Sequence, residues 1–215
     1  LTGIVRRVPD AAMAGAFLVL SRGAGIHLVP GRDGVSVTPL PSMDPTRPIS
    51  EVELTNARAI PVGTGPGGLE GLCREATVLS CADAVGGIQR TVEASVEYGK
   101  VRTQFDKPIG SFQAVKHRCA DMATRAEMAR AATVYATVAV RDGAADADFQ
   151  VSVAKVLCVN AYLQNAADNV QNHGGMGFTW ECDAHLFVKR ARSFDLALGS
   201  RAQHLDGLVA RFRAA

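Results

Sequence analysis

Short apolar runs alternate with turn residues along the first 62 positions of the chain. Prolines are frequent here, and Pro30-Gly31 and Asp33-Gly34 are turn dipeptides. Short runs punctuated in this way are typical of antiparallel β-structure, and this length predicts part of a β-domain rather than a closed barrel. The predicted strands contain the runs Phe17–Leu20, Ile26–Val29, Val35–Val37 and Val52–Leu54.

From residue 69 onward the apolar positions recur every three or four residues, the period of a helix that buries one face. The pattern predicts three long helices, then shorter ones over about 183–192 and 200–212, joined by brief turns. Ser111 is the predicted N-cap of the second helix, Asp142-Gly143 ends it, and Gly174-Gly175 ends the third. A mainly α fold, an antiparallel helical bundle over residues 69–215, is therefore expected. Its stripes are Val85, Ile88, Val92 and Val96; then Phe112, Val115, Cys119, Met122, Ala126, Ala129, Thr133 and Ala136; then Val156, Val159, Leu163, Ala166 and Val170.

A glycine-rich stretch, Gly63-Thr-Gly-Pro-Gly-Gly68, separates the two parts. A phosphate-binding loop is the alternative interpretation. The G-K-[ST] ending of that motif is absent, however, and no strong apolar strand precedes the glycines. A plain linker over residues 63–68 is therefore predicted.

Composition limits the class of protein. The 215 residues are 47% hydrophobic and 20% charged, with a formal net charge of +2, as in an ordinary soluble globular protein. Basic and acidic residues are interspersed, which gives no support to a nucleic-acid partner. The five cysteines are far apart without a C-x-x-C pair, so neither a metal site nor a disulfide framework is predicted, and a cytoplasmic location is favoured. No apolar stretch reaches the roughly 18 residues of a membrane span, and no signal peptide opens the chain.

Two segments of the helical part carry specific patterns. Arg102-Thr-Gln-Phe105, followed by Lys107–Lys116 and Ala120-Asp-Met122, resembles the R-x-Q-F-x-x-P-[IL]-x-x-F-Q segment of acyl-CoA dehydrogenases. Gln171-Asn-His-Gly-Gly-Met-Gly-Phe178 resembles the Q-x-x-G-G-x-G-[FY] turn of the same family. Val35–Leu40 and the following Asp44-Pro-Thr-Arg47 look like strands of the family's middle β-domain. The chain thus resembles a C-terminal helical domain (69–215) preceded by a partial middle β-domain (1–62).

The resemblance implies FAD as cofactor. An arginine fork suits the pyrophosphate oxygens, and glycines admit close approach of backbone. The simpler interpretation of Arg102 is a salt-bridged surface residue, and that of the glycines is a helix C-cap. In the family, the arginine and glutamine of the first motif reach the FAD of a neighbouring subunit, and Gly199-Ser200 corresponds to a Gly-Thr pair near the flavin. The expected cofactor-binding residues are Arg102, Gln104, Phe105, Gln171, Gly174, Gly175 and Ser200.

The resemblance also implies an acyl-CoA substrate, a homo- or hetero-oligomer, and transfer of electrons to an electron-transfer flavoprotein. The family's reaction needs a general base for the α proton, normally a glutamate directly before the Gly-Thr pair. Leu198 occupies that position. Some relatives carry the glutamate on the first bundle helix, where Ala76 aligns and Glu75 lies one residue away, a rotation of about 100°. Glu75 is the candidate base, and Asp195 is a weaker one.

Two further clusters have simple interpretations. His117 and Asp121 lie one helical turn apart, which predicts an exposed i,i+4 contact rather than a metal ligand pair. Lys189-Arg-Ala-Arg192 is short and flanked by acidic residues, which predicts a solvated face.

Three hypotheses follow from the sequence. The chain belongs to an active FAD enzyme, or to a subunit without its own base that contributes FAD contacts to a partner, or to a helical nucleic-acid regulator. The third requires a helix-turn-helix and a basic face, and the sequence contains neither.

Overall fold

A computed structural model describes residues 1–21, 25–64 and 66–214 of the chain. It divides into two compact units, Leu1–Cys73 and Arg74–Ala215. The strands of the first unit form two antiparallel three-stranded sheets, in the orders β1-β5-β4 and β2-β3-β6. Their bounds are β1 Gly3–Pro9, β2 Ala16–Leu20, β3 Gly25–Pro30, β4 Val35–Leu40, β5 Ile49–Leu54 and β6 Ile60–Thr64.

One buried cluster draws on both sheets of the first unit. Phe17 and Val29 of one sheet join Val52 and Leu54 of the other in this core. These residues belong to three of the apolar runs that predicted strands, and the fourth run lies in β4. The predicted antiparallel β-structure is confirmed.

Strands β1 and β6 have no counterpart among the predicted runs. In β1 the apolar alternation is broken by Arg6 and Arg7, and the pairing with β5 shifts register between Val5 and Val8. Arg7 at this bulge has a φ of 60°. In β6 the residues Pro61 and Gly63 are typical of turns, but β6 is an edge strand, where a proline is tolerated.

The prediction of a plain linker over residues 63–68 is wrong, because most of these residues belong to a strand or to a helix. Strand β6 continues through Thr64, and helix α1 begins at Pro66. Gly65, which is part of the predicted linker, lies outside the described residues. A strand therefore does precede the glycine-rich stretch, contrary to the sequence interpretation, although the G-K-[ST] ending of a phosphate-binding loop is still absent.

Among the residues that the structure describes, five α-helices make up most of the second part of the chain, which confirms the mainly α class. Every residue from 113 to 141 and from 147 to 173 is helical, so the expected bundle replaces any sheet in this region. Within the described residues, no helix is long and apolar enough to cross a membrane. The bounds are α1 Pro66–Val101, β7 Thr103–Gln104, β8 Lys107–Pro108, α2 Gln113–Arg141, α3 Ala147–His173, α4 Ala184–Leu196 and α5 Arg201–Ala214.

The predicted stripes form the core of the bundle. Ile88 of α1, Ala129 of α2 and Val159 of α3 are each completely buried. Gly87 lies so close to α3 that a Cβ there would stand 2.2 Å from Oη of Tyr162. Helix α3 is the central element, because it contacts α1, α2, α4 and α5.

Helix ends differ from the predictions in two places. Ser111 is not the N-cap of α2; it ends a 3-10 turn, and Phe112 takes the cap position without a side-chain hydrogen bond. The predicted cap is wrong because a 3-10 turn over Ile109–Ser111 follows Pro108 and moves the start of α2 one residue further along the chain. The predicted ends at Asp142 and Gly174 are confirmed as C-caps, and α4 continues to Leu196, beyond its predicted end.

Candidate flavin-binding site

The two sequence motifs lie at the same end of the bundle. The ring of Tyr98 in the last turn of α1 stacks on His173 in the last turn of α3, with centroids 4.3 Å apart. Arg102 follows the end of α1, and Gln171 precedes the end of α3. The structure therefore brings the first and second motifs into one region.

The first motif forms a tight hairpin of β7 and β8. The carbonyl of Arg102 accepts a hydrogen bond from the Ile109 amide at 2.8 Å, which closes its base. Phe105 and Asp106 have φ values of 52° and 60°, so both central residues of the turn are left-handed. A left-handed backbone is uncommon for a residue as large as Phe105. Its side chain is 85% exposed. Gln104 is also exposed, and its amide donates to the Thr103 carbonyl at 2.9 Å.

The second motif exposes backbone. Gln171 is exposed, and Gly174, the C-cap of α3, has a φ of 60°. A Cβ built on Gly174 or Gly175 would meet no atom within 4 Å, so a ligand can approach this backbone closely. Gly177 differs, since a Cβ there would stand 2.6 Å from the Val170 carbonyl oxygen and its role is packing.

This end of the bundle is chemically suited to a phosphate-bearing ligand. The guanidinium of Arg102 is exposed and forms no ion pair within the described part of the chain. A planar cation and the side-chain amide of Gln171 are donors suited to a pyrophosphate, and the glycines leave room for it to approach the backbone, although the Gly174 amide itself donates to the Gln171 carbonyl. The residues present therefore fit the FAD that the sequence resemblance implies.

A polar network behind the glycine turn was missed by the sequence analysis. Asp168 contacts two arginines of α2, lying 3.5 Å from Arg118 and at hydrogen-bond distance from Arg125. Three buried asparagines of α3 bind neighbouring helices: Asn165 donates to the Met122 carbonyl at 2.9 Å, Asn169 accepts from Ser95 at 2.9 Å, and Asn172 accepts from Arg118 at 3.0 Å. The signal was the spacing 165, 169 and 172, a polar stripe beside the apolar one.

Ser200 begins α5 as part of a reciprocal cap. Its backbone amide donates to Oε1 of Gln203 at 2.8 Å, and its hydroxyl accepts from the Gln203 amide at 3.3 Å. Asp195 accepts from the amide of Arg201 at 2.9 Å. This is the capping-box arrangement, with glutamine three residues after serine. The hydroxyl of Ser200 is thus engaged in the cap.

The residue at the usual position of the base lies in a strained turn. Leu198 has a φ of 55°, which is uncommon for a branched apolar residue, and Gly199 follows with a φ of 95°. The side chain of Leu198 is an aliphatic group that cannot accept a proton. Two side chains that the sequence analysis missed hold this turn: Lys155 from α3 and His204 from α5. A lysine between the buried positions Val151 and Cys158 of α3 was the signal for the first of them.

The structure does not bring the turn at Ser200 together with the glycine turn. The first turn is held against α3 at Lys155, and the second follows Gln171 of the same helix. Sixteen residues of helix separate these two positions, which is about 24 Å at 1.5 Å per residue. The two groups of candidate residues therefore lie in different parts of the bundle.

Glu75 is exposed on α1 and stays a predicted base only. Its neighbour Arg74 binds Asp148, at the beginning of α3, with a distance of 2.6 Å. Val78, one turn later, points into the core, whereas Leu79 on the side of Glu75 is 71% exposed. The carboxylate of Glu75 thus faces outward from this unit.

Comparison with known proteins identifies the family. Residues 73–212 match the family model described as acyl-CoA dehydrogenase, C-terminal domain. This range begins near the boundary between the two compact units and includes both motifs and the turn at Ser200. The chain belongs to the acyl-CoA dehydrogenase family.

Individual relatives agree with this assignment. Acyl-CoA dehydrogenase FadE34 of Mycobacterium tuberculosis is 38% identical over 214 residues, which cover 99% of this chain and 30% of FadE34. Acyl-CoA dehydrogenase IpdE2 of the same organism is 36% identical over 156 residues, 73% of this chain and 45% of IpdE2. This chain thus spans less than half the length of these curated relatives.

Solved structures have the same fold. The ChsE4-ChsE5 complex from Mycobacterium tuberculosis contains a chain with a TM-score of 0.87 and 29% identity, covering 100% of this chain and 60% of that one. A variant of the Tcur3481-Tcur3483 steroid ACAD gives a TM-score of 0.87 and 26% identity, with the same coverage of 100% and 60%.

Proposed function

We propose that this chain forms the C-terminal part of an FAD-dependent acyl-CoA dehydrogenase, or of one subunit of such an enzyme. The reaction introduces a double bond between the α and β carbons of an acyl-CoA thioester. A base takes the α proton, and the β hydrogen leaves with its electron pair. Bound FAD would supply the acceptor for that hydride, and in our proposal the electrons would go on to an electron-transfer flavoprotein.

The proposed role of the first and second motifs is to hold the FAD of a neighbouring subunit. The exposed guanidinium of Arg102 would bind pyrophosphate oxygens, with Gln104 and Phe105 beside it. Gln171 and the backbone at Gly174 and Gly175 would approach the adenine half of the cofactor. Support comes from the shared position of these residues at one end of the bundle and from the open space at both glycines.

The turn at Ser200 is proposed to serve a different FAD molecule. It lies about 24 Å along α3 from Gln171, at 1.5 Å per residue, and a subunit that shares cofactors with a neighbour needs two such separate contact regions. Because the Ser200 hydroxyl is engaged with Gln203, a contact with the flavin would use other atoms of the turn or require Gln203 to move.

The observation that carries the proposal furthest is Leu198. The position before Gly199 holds a leucine, in a turn fixed from two sides. General-base assistance contributes roughly 10²–10⁴-fold to the rate, so a site built around Leu198 would dehydrogenate its substrate very slowly. We therefore propose that this chain acts as a subunit without its own base, and that a partner subunit carries the glutamate or aspartate.

Similar proteins support a heteromeric assembly. Both solved relatives described above are two-component systems by their names, ChsE4-ChsE5 and Tcur3481-Tcur3483. The second is called a steroid ACAD, so a steroid-like acyl-CoA is the substrate class with support from a relative.

A second candidate function is a self-sufficient enzyme with Glu75 as base. It is favoured by the position of Glu75 on the first bundle helix, where some relatives carry the catalytic glutamate. Two observations argue against it. The side chain of Glu75 faces outward from the unit, and Glu75 lies one residue before Ala76, the position that aligns with the glutamate of those relatives.

Acyl-CoA-dependent dye reduction separates the two candidates. The purified FAD-loaded protein is measured alone, with a partner subunit that carries a glutamate base, and as Glu75→Gln. We expect negligible turnover alone and robust turnover with the partner, unaffected by Glu75→Gln. Robust turnover by the protein alone that disappears in Glu75→Gln would overturn the proposal and make Glu75 the base.

A further inference from the structure

Lys155 is a completely buried lysine in the first half of α3. Its relative exposure is 0%, and it is the largest fully buried side chain of the chain's described part. Its ammonium donates to the carbonyls of Phe194 at 2.6 Å and Ala197 at 2.8 Å, and lies 3.7 Å from the centroid of the Phe194 ring. A buried charge is costly unless it is hydrogen-bonded, so these contacts account for its presence there.

The two carbonyls bound by Lys155 belong to the end of α4. The last carbonyls of a helix lack partners within it, and a cation near them also interacts favourably with the helix dipole. Phe194 lies in the last turn of α4, and Ala197 is its C-cap. Lys155 thus fixes the point at which the chain leaves α4, one residue before Leu198.

The turn that follows Ala197 needs such fixing. Positive φ at Leu198 stores strain, and strained backbone persists only when its surroundings determine it. On the other side His204 lies with Nε2 3.1 Å from the Leu198 carbonyl oxygen. Since a carbonyl only accepts, Nε2 donates in this contact, and Nδ1 lies 3.2 Å from the Ser152 hydroxyl of α3.

We infer that Lys155 is a positioning residue: it holds the turn Leu198–Ser200 in the conformation that the flavin site uses. The flavin part of this inference rests on the proposed function, whereas the anchoring of the turn does not. The titratable groups that act on Lys155 are Asp195, in the last turn of α4, and the thiols of Cys81 and Cys158, on α1 and α3. No carboxylate pairs directly with Lys155 in the described residues, so its bonds go to backbone and the turn depends on them.

Amide hydrogen exchange on the chain tests the anchoring. The amides of Ala197, Ser200 and Arg201 donate to acceptors on the helices that flank the turn, so their exchange reports its opening. Lys155→Met should make them exchange on the order of tenfold faster or more, while amides in the middle of α2 keep their rates. Arg141→Met, at an exposed arginine at the end of α2 and outside both motifs, is the control and should change none of them.

Either of two results overturns the anchoring. One is unchanged exchange at the three amides in Lys155→Met; the other is equal acceleration throughout α2, which marks a general core residue. If Lys155→Met does not fold, Lys155→Gln, which keeps an amide donor, takes its place. Failure of both variants to fold also counts against a positioning role, because the bundle then depends on Lys155 as a whole.

The flavin part is tested in the complete FAD-loaded enzyme. Lys155→Met should shift the visible absorption band of the flavin and lower kcat more than it raises KM, and Arg141→Met should do neither. Faster exchange at the turn with an unchanged flavin band would leave the anchoring intact and refute the flavin contact. Unchanged exchange refutes the role of Lys155 whatever the flavin does.

Discussion

The ring of Tyr98 lies on the imidazole of His173, with centroids 4.3 Å apart and planes inclined by 25°. His173 is fixed in turn, because its Nδ1 lies 2.8 Å from the Asn169 carbonyl oxygen. The stack joins the last turns of two helices whose ends carry the two family motifs. The stack therefore helps to fix the relative position of Arg102 and Gln171, together with the Ser95–Asn169 hydrogen bond one turn earlier.

Replacing Tyr98 with alanine should loosen that end of the bundle. The lost ring stack and packing should lower the free energy of unfolding by about 1–3 kcal/mol. Tyr135→Ala, at a tyrosine of α2 that is 58% exposed, is the control and should cost less than about 0.5 kcal/mol. Urea denaturation of both variants measures the difference, and equal losses would contradict the role of the stack.

Arg102→Ala should weaken retention of FAD in the assembled oligomer. A lost charge-assisted contact to phosphate corresponds to about 1.5–3 kcal/mol, or roughly 10- to 150-fold in Kd. Flavin fluorescence on dilution measures the release. Arg141→Ala removes an exposed arginine that pairs with Asp142 at the end of α2, and should leave retention unchanged. If Arg102→Ala holds FAD as tightly as the parent, the assignment of this motif is wrong.

Gly87→Ala should destabilise the bundle because its Cβ would stand 2.2 Å from the Tyr162 Oη. Tyr162 is buried, so its ring cannot move freely, and overpacking of this kind costs about 1–3 kcal/mol. Gly86→Ala is the matched control, since a Cβ there meets nothing within 4 Å. Removing that helical glycine should stabilise α1 by about 0.5–1 kcal/mol. Opposite shifts in Tm are expected, and shifts of the same sign would disprove the close approach.

Stability should rise with pH above 8 through Lys155. Burial lowers the pKa of Lys155 from its ordinary 10.5 to about 8, although Cys81, Asp195 and Cys158 act in the opposite direction. Between these two values the unfolded chain binds more protons than the folded one, so folding becomes more favourable as pH increases. Below pH 8 both states are protonated and the full cost of burying the charge remains.

The measurement compares the parent with Lys155→Met by denaturation at roughly pH 7.5, 8.5 and 9.5, where other titrating groups cancel. The stability of the parent relative to the variant should increase by up to about 1.4 kcal/mol per pH unit. Arg141→Met removes a side chain that stays protonated throughout this range, and should give a difference that does not change with pH. A flat difference for Lys155→Met as well would mean that the lysine keeps its ordinary pKa.

The sequence predicted the helical bundle well because its stripes are long and regular. It missed β1 and β6 because a bulge at Arg7 breaks the alternation in one, and Pro61 is typical of a turn in the other. Both strands owe their pairing to neighbours far along the chain, such as β5 for β1. Local patterns carry no information about such partners.

The part of the candidate site that depends on the local backbone could be predicted from the sequence. Glycines at 174 and 175 indicated an open turn, and in the structure a Cβ added to either of them would meet no atom within 4 Å. The roles of Lys155 and His204 were not predictable. Lys155 lies some 40 residues before the turn that it holds, and His204 lies six residues after Leu198. The positive φ of Leu198, which makes the turn need such contacts, is visible only in the structure.

The three buried asparagines of α3 determine how far this helix can slide. The alanines that line α2 at 126, 129 and 136 present a smooth surface that many axial positions of α3 would satisfy almost equally. A shift by one helical turn would separate Asn165, Asn169 and Asn172 from their partners at once, at about 1–3 kcal/mol for each buried group left unsatisfied. The side-chain amides of these asparagines therefore determine the axial register of α3: they select one position among packings that apolar contact alone cannot distinguish.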